Sequence, residues 1–354
     1  MNKLDPTLLV QKGRYELYSE DKDIVLVGAG SLCQKFLENE SSLKEKIKLI
    51  FDSDLNKKDT KINGFKISHI LDLERLKNKK KYIFIITSSF IKEIAKTLLN
   101  CNISCFYSYI YILSFDKWKI KDEDQKYINQ VNNILSDEKS IDILNKIVNY
   151  RNIGKADFSD VHSKEQYFFD KFKYTDKEVF LDGGAYDGRE IHKFIDITKG
   201  NFLKVYSFEL SPINYQAVKK NIVNSEKVHT YNLGLWNKEA YLEVKENGPG
   251  ARVNISNENT EDKEPNLIAI DEFFNDKETP TFIKMDIEGA ELEALKGAKN
   301  TIVKNKPKLA ICLYHKPDDL WKIPLYLKDL VPEYKFYIRH HSKVRWETIL
   351  YATV

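Results

Sequence analysis

The segment Val179–Glu190 constrains the fold more than any other part of the sequence. It begins with three apolar residues, which predict a short buried strand that ends at Asp182. The glycines that follow predict a tight turn, because glycine lets the backbone bend sharply and lets a ligand lie against the main chain. These glycines are Gly183, Gly184 and Gly188. The segment therefore predicts a strand, a turn and a helix of the kind that binds nucleotide-like ligands.

A second strand-end acid, Glu209, follows about 20 residues after the end of this segment, where folds of the dinucleotide-binding type place the ribose of their ligand. It comes after the apolar strand Val205–Phe208 and can accept hydrogen bonds from both ribose hydroxyls. The carboxylate of Asp182 suits a cationic ligand better than a diphosphate. Together the two acids favour S-adenosylmethionine, which has an amino group, a sulfonium and a ribose. The alternative for Glu209 is a strand-end acid that faces water.

Two further strands complete the predicted sheet. Thr281–Glu291 predicts a strand, a turn and the start of a helix, and Lys308–His315 predicts a strand that ends in a histidine. Four such strands describe an open α/β sheet, in which ligands bind beyond the strand ends where the strand order reverses. If the strand at Asp182 is the first and the strand at Asp286 the fourth, they are neighbours at the reversal. These two acids are then expected to flank one crevice.

These motifs resemble the FkbM family of S-adenosylmethionine-dependent methyltransferases. The resemblance extends from Gln166 to the end of the chain, and its longest motif is Ile283–Ala298. Shorter matches lie at Leu181–Gly188, Tyr314–Leu320 and Glu347–Ala352. The resemblance implies a Rossmann-like α/β fold of the class I methyltransferases. It also implies O-methylation, often of sugars or natural products, and leaves the acceptor open.

The resemblance and the strand-end pattern together give a predicted cofactor site for S-adenosylmethionine. Its members are the residues of the glycine-rich turn and polar or small residues that follow neighbouring strands. They are Asp182, Gly183, Gly184, Ala185, Tyr186, Gly188, Glu209, Gly234 and Asp286. The expected acceptor is a hydroxyl of a sugar or glycan precursor, such as a surface polysaccharide, either free or linked to a nucleotide.

The predicted catalytic residues are His315, Asp286 and Glu288, because each follows a strand that faces the crevice. His315 is the candidate general base, since its ordinary pKa of about 6.5 suits proton transfer near neutral pH. A structural histidine bonded to a loop is the alternative. The same three residues offer oxygen and imidazole ligands for a divalent metal. Their spacing matches no recognised metal site, so we expect no metal. For Glu291 we favour stabilisation of the helix start.

The N-terminal part of the sequence predicts a second, smaller Rossmann-like domain. An apolar strand leads into the turn Gly28–Gly30, and further strands are predicted at Ile47–Asp52 and Tyr82–Thr87. Cys33 stands where the dinucleotide-binding pattern has its third glycine. We predict a Rossmann-like domain at 1–113, a helical linker at 114–173 and a methyltransferase domain at 174–354.

Two alternatives for the N-terminal domain stay open. It binds a nucleotide or nucleotide-linked sugar, or it serves packing and assembly. The rival functions for the whole chain are a two-domain NAD(P)-dependent oxidoreductase and a nucleotide-sugar binding protein. Against the oxidoreductase, no proton-donor pair accompanies the glycine turn.

Composition excludes several other classes of protein. The formal net charge is +3 over 354 residues, and basic residues form no stripe interleaved with aromatics, so we expect no nucleic-acid partner. No apolar run approaches the ~20 residues of a membrane span, and Met1–Pro6 lacks a signal-peptide core. The four cysteines form no zinc-type doublets. We expect a cytoplasmic protein.

Overall fold

The structure, a computed structural model, describes residues 14–114, 116–222, 226–242 and 266–354. The chain divides into two compact units. The first contains the described residues up to Ile120 together with Ile147–Phe158, and the second contains Lys121–Lys146 and Ser159–Val354. The segment 114–173, treated above as a linker, is thus divided between the two units.

The first unit is built around a six-stranded sheet with the order β3-β4-β2-β1-β5-β6, in which only β3 and β4 are antiparallel. Its elements are α1 (Arg14–Ser19), β1 (Asp23–Val27), α2 (Ser31–Asn39), β2 (Ile47–Asp52), β3 (Lys61–Ile62), β4 (Phe65–His69), β5 (Tyr82–Ile86), α3 (Ile91–Asn100), β6 (Phe106–Ser108) and α4 (Tyr109–Ser114). The central strands are apolar on both faces and buried, as parallel strands covered by helices require.

The second unit is built around a seven-stranded sheet with the order β14-β15-β13-β12-β7-β8-β9. Helix α5 is Gln125–Ile134, and α6 (Glu138–Ile153) begins in this unit and ends in the first. The remaining elements are β7 (Val179–Gly183), α7 (Arg189–Thr198), β8 (Lys204–Phe208), α8 (Pro212–Asn221), β9 (Val228–Tyr231), β10 (Gly234–Trp236), β11 (Leu267–Ala269), α9 (Ile270–Phe273), β12 (Phe282–Met285), α10 (Glu291–Lys296), α11 (Lys299–Asn305), β13 (Lys308–Cys312), α12 (Asp319–Leu330), β14 (Lys335–His340) and β15 (Thr348–Thr353). Strands β10 and β11 form a separate parallel pair.

The strand order confirms the predicted α/β class and the predicted neighbours. Strand β7 pairs in parallel with β8 on one side and with β12 on the other, so the order reverses beside β7. Strand β13 pairs in parallel with β12, and β15 pairs with β13 in the antiparallel direction. The loops after β7, β8, β12 and β13 therefore meet at one edge of the sheet.

Aromatic packing fixes β7 against β12 below this edge. The rings of Phe180 and Phe282 stack with centroids 4.7 Å apart, and Phe172 approaches Phe282 at 5.5 Å. Phe168 contacts the same two rings from the segment that precedes the sheet. Such pairs add about 0.5–1.5 kcal/mol each beyond the burial of their area. The strand ends that carry the candidate site are thus held on a packed core.

No helix among the described residues is long and apolar enough to cross a membrane.

Candidate functional site

The glycine-rich turn after β7 packs directly against the end of β12. Gly184 has a φ of +77°, and a Cβ at this position would lie 1.9 Å from the carbonyl oxygen of Asp286. The backbone N–H of Asp286 donates to the carbonyl of Gly183 at 3.0 Å. Glycine is required at residue 184 because both the backbone conformation and the close approach exclude a side chain.

Glu209 lies directly after β8 and binds the same turn. Its Oε2 accepts a hydrogen bond from the backbone N–H of Tyr186 at 2.8 Å, and its Oε1 accepts one from Ser211 at 2.9 Å. The side chain is largely buried. Burial raises the pKa of this carboxyl above its ordinary value, against the opposing effect of the two backbone donors. Each oxygen retains capacity for a further donor.

Asp182, at the end of β7, is fully buried and faces Lys284 of β12. Nζ of Lys284 lies 2.9 Å from Oδ1 of Asp182. The same ammonium donates to the carbonyl oxygens of Gly183 at 3.2 Å and Gly184 at 2.8 Å. Asp182 thus contacts the turn through Lys284. We did not assign Lys284 a role from the sequence, since its partners lie about 100 residues away in the chain.

A further acid, Glu190, belongs to this cluster and was not among the predicted site residues. Burial, reinforced by the charge of Asp182, raises the pKa of Glu190 to about 7. Its position in the first turn of α7 gave no signal beyond that of an acid at a helix start.

Asp286 follows β12 and is held by two tyrosines. The hydroxyl of Tyr167 donates to Oδ2 at 2.7 Å, and the hydroxyl of Tyr314 donates to Oδ1 at 2.9 Å. Although burial acts to raise the pKa of Asp286, the charges of Lys284 and His315 and the two hydroxyls lower it. Asp286 is therefore an anion at neutral pH. The sequence analysis assigned no role to either tyrosine, although Tyr314 lies beside His315 in a family motif.

His315 lies three residues beyond the end of β13 and is surrounded by carboxylates. Its Nδ1 is 2.8 Å from Oε1 of Glu291, and its Nε2 is 3.4 Å from Oδ1 of Asp286. Burial acts to lower the pKa of His315, but Glu291, Asp286 and Glu288 outweigh it and raise the pKa to about 9. The ring is therefore mainly protonated at neutral pH.

Glu291 is fully buried and contacts His315 in addition to its place at the start of α10. Its Oε1 also accepts a hydrogen bond from the backbone N–H of Ile287 at 2.9 Å. Stabilisation of the helix start alone, the role favoured from the sequence, therefore describes this residue incompletely.

Glu288 differs from the other predicted catalytic residues because 92% of its side chain is exposed. Its Oε2 lies 3.8 Å from Nε2 of His315. The backbone has a φ of +56°, a left-handed conformation that costs energy for a residue with a side chain. The strained turn presents this carboxylate to solvent beside the histidine.

The described residues contain one group with the composition of a metal site, formed by Asp286, Glu291 and His315. Their candidate ligand atoms lie within 4.8 Å of one another. However, Glu291 faces Nδ1 and Asp286 faces Nε2 of the imidazole ring. This is the arrangement of an imidazolium paired with two carboxylates, because a single cation can bind only one of the two ring nitrogens.

The remaining predicted residues lie around the turn. Ala185 is fully buried, Tyr186 is exposed, and Gly188 precedes α7 with a φ of +83°. Gly234 begins β10, where a Cβ would lie 2.6 Å from Leu267. The structure therefore brings the turn, Glu209, Asp286 and His315 to one sheet edge. Gly234 packs against a neighbouring side chain.

Residues 182–341 match the model of the methyltransferase FkbM domain. The crystal structure of methyltransferase FkbM from Methylobacillus flagellatus KT is 21% identical in sequence and superimposes with a TM-score of 0.61, covering 99% of this chain and 95% of that one. This likeness shows a shared fold.

A more distant structure is fibrillarin from Aeropyrum pernix with natively bound S-adenosyl-L-methionine. It is 12% identical, with a TM-score of 0.31, over 51% of this chain and 70% of that one. A search among curated proteins finds no significant match.

Proposed function

Residues 182–341 belong to the methyltransferase FkbM family, and on this premise we propose that the protein transfers a methyl group from S-adenosylmethionine to a hydroxyl of a sugar or glycan precursor. The observation that carries the proposal is the contact between the turn and Glu209. The backbone of Tyr186 holds Oε2 of Glu209 at 2.8 Å, so the carboxylate faces the turn in a fixed position.

The charges around the turn fit a cationic cofactor. Four acids of the described residues lie near it, namely Asp182, Glu190, Glu209 and Asp286. Lys284 is paired with Asp182, and His315 lies 3.4 Å from Asp286, so these two acids already face a cation. A bound sulfonium and amino group would offset the remaining negative charge. S-adenosylmethionine, when bound, supplies an activated methyl group.

The residues would divide the binding as follows. The free acceptor positions of Glu209 would take the ribose hydroxyls, and Gly184 would keep the turn packed against the carbonyl oxygen of Asp286. Asp182 would act by way of Lys284, which holds the turn through its carbonyl oxygens.

The acceptor hydroxyl would lie beside His315. In its neutral form the ring accepts the hydroxyl proton at Nε2, while Glu291 holds the ring through Nδ1. The exposed carboxylate of Glu288, together with Asp286, would accept hydrogen bonds from other hydroxyls of the same molecule. Such a polar rim suits a carbohydrate better than an apolar acceptor, and the family resemblance points in the same direction.

The test is isothermal titration calorimetry of the full chain with S-adenosylmethionine and, in a separate experiment, with NADH. We expect binding of S-adenosylmethionine that is weakened in Glu209→Gln, a variant that keeps the side-chain size. A second step incubates the protein with methyl-labelled cofactor and a panel of sugars, sugar nucleotides and glycans. If the protein oxidises NADH in a substrate-dependent way and does not bind S-adenosylmethionine, the oxidoreductase alternative is favoured and this proposal is rejected. Cofactor binding without transfer to any hydroxyl compound would reject the acceptor class alone.

A further inference from the structure

A cleft of about 600 Å³ opens in the first unit. Its lining includes Gly28 after β1, Asp52 at the end of β2 and Thr87 after β5. Strand β1 lies between β2 and β5, so the strand order reverses beside it. Open α/β sheets bind ligands at such a reversal, and ligand pockets span roughly 300–1,000 Å³. The residues of the methyltransferase site all belong to the second unit, so this cleft is a different site.

The floor of the cleft is a turn that only glycine can form at its first position. Gly28 has a φ of +108°, and a Cβ there would lie 2.8 Å from the Cβ of Ser88. Its backbone N–H donates to the carbonyl of Phe51 at 2.7 Å, and Thr87 Oγ1 donates to its carbonyl at 2.6 Å. The main chain of the turn is thus fixed against both neighbouring strands.

The turn leads into α2, whose N-terminus meets open space in the cleft. Gly30 is the residue before the helix, and no side chain caps it. A Cβ at Gly30 would meet no atom within 4 Å. The backbone N–H groups at a helix start and the positive end of its dipole attract phosphate.

Asp52 shows which part of a ligand fits beside the turn. Its Oδ2 accepts from the backbone N–H of Ala29 at 2.6 Å and from Nζ of Lys57 at 3.1 Å, and its Oδ1 accepts from Asp54 at 2.8 Å. In dinucleotide sites an acid at this position binds the ribose hydroxyls. Here Oδ2 already accepts from two protein donors, and the carboxylate holds the ammonium of Lys57 in the lining of the cleft.

The lining of the cleft also includes an exposed aromatic ring. Phe90 lines the cleft, and 68% of it is exposed, although it is a large apolar residue. Ile70 and Ile94 also line the cleft. Any nucleobase can stack on such a ring, because every base has a flat aromatic face.

We propose that this cleft binds a nucleoside diphosphate, free or linked to a sugar. The phosphates lie against Gly30 and Lys57, and the base lies against Phe90. The proposal does not depend on the methyl-transfer function, since it rests on residues of the first unit alone.

The test is calorimetry of the full chain with ADP, UDP and GDP, their glucose or mannose conjugates, and NAD⁺. The main variant is Gly30→Asp, which places a negative charge where the phosphate binds. The open space at Gly30 admits the side chain, and aspartate is a favourable N-cap, so the melting temperature should not fall. The control Gly30→Asn introduces a side chain of the same size as Gly30→Asp but without the negative charge. Ser41→Asp adds the same charge at an exposed position of the same unit.

We expect at least one diphosphate to bind and Gly30→Asp to weaken it by roughly tenfold or more, with a smaller loss in Gly30→Asn and none in Ser41→Asp. Phe90→Ala, a change at an exposed residue, should weaken binding by about tenfold. A conjugate that binds more tightly than its diphosphate identifies a sugar nucleotide, and the reverse order identifies the free nucleotide. Absence of binding by every diphosphate, tighter binding of NAD⁺, or unchanged affinity in both Gly30→Asp and Phe90→Ala would overturn the proposal.

Discussion

The ammonium of Lys284 and the carboxylate of Asp182 form a buried ion pair across two adjacent strands. The residues are direct partners in the pairing of β12 with β7, and Nζ lies 2.9 Å from Oδ1. Burial acts to lower the pKa of Lys284, but the charges of Asp182 and Asp286 raise it above its ordinary value. The lysine is therefore charged, and it links the strand-end acid to the carbonyl oxygens of the glycine turn.

The first prediction concerns the stability of this pair. Lys284→Met leaves Asp182 buried without its cation, so the free energy of unfolding should fall by about 3–5 kcal/mol. The double variant Lys284→Met with Asp182→Leu removes both charges and should recover part of the loss. Lys296→Met, which breaks an exposed pair with Glu293, is the control and should change stability by less than about 1 kcal/mol.

Urea unfolding at neutral pH measures all three variants. An equal loss in the single and the double variant would show that the charges are not coupled, and a loss no greater than that of Lys296→Met would contradict the prediction altogether.

The second prediction concerns the ribose acceptor. Glu209→Ala should weaken S-adenosylmethionine binding by roughly 10–150-fold, because a charged hydrogen bond contributes about 1.5–3 kcal/mol. Glu209→Gln retains one carbonyl oxygen for Tyr186 or Ser211 and should lose less. Calorimetry compares them, and circular dichroism checks the fold. Affinity equal to that of the parent protein in both variants would exclude a contact between Glu209 and the cofactor.

The sequence predicted the sheet edge well because the relevant signals are local. The apolar run before Asp182 indicates a buried strand. The glycines after it indicate a turn, because glycine allows backbone conformations that other residues avoid. The pairing of β7 with β12 followed from the topology of open α/β sheets, and the structure confirms it. The strand ends near Asp286 and His315 were located for the same reason.

The contacts between side chains were not predictable in this way. Tyr167 reaches Asp286 across 119 residues, and Lys284 reaches the turn across about 100. Only the folded arrangement brings these partners together, and neither residue type signals it. Glu291 has a local role at the start of α10, which concealed its contact with His315. Side-chain partners at a strand-end site depend on register and loop geometry, whereas the site itself depends on strand order.

The third prediction concerns metal. Because each ring nitrogen of His315 faces a different carboxylate, we expect EDTA to leave methyl transfer unchanged, and Mg²⁺, Mn²⁺ or Zn²⁺ to leave the melting temperature unchanged. A fluorescence thermal shift and an activity assay after dialysis measure both. Loss of activity with the chelator, restored by one of these ions, would make Asp286 and His315 metal ligands instead of an ion pair.

The last prediction concerns His315 as the general base. Because the pKa of His315 is raised to about 9, only a small fraction of the rings is neutral at pH 7. A base must be neutral to accept a proton, so kcat should rise tenfold per pH unit from pH 7 and level off near pH 9. Glu291→Gln removes the carboxylate on Nδ1, so it should lower the pKa of His315 toward 6.5 and move the profile to lower pH. The binding of a cationic cofactor should also lower the pKa of His315 and move the pH profile of kcat to lower pH.

His315→Gln keeps a polar side chain but cannot accept the proton, so turnover at pH 9 should fall by about 10²-fold or more, with cofactor affinity nearly intact. His192→Gln, a change on the exposed surface of α7, is the matched control and should keep the parent profile. Stability provides an independent measurement, because a raised histidine pKa stabilises the fold below pH 6.5 and the stabilisation is lost as the pH rises through 9. The prediction is contradicted if turnover is independent of pH between 7 and 9 and His315→Gln has near-normal activity. His315 would then serve only to hold Asp286, and it would not be the base for the acceptor hydroxyl.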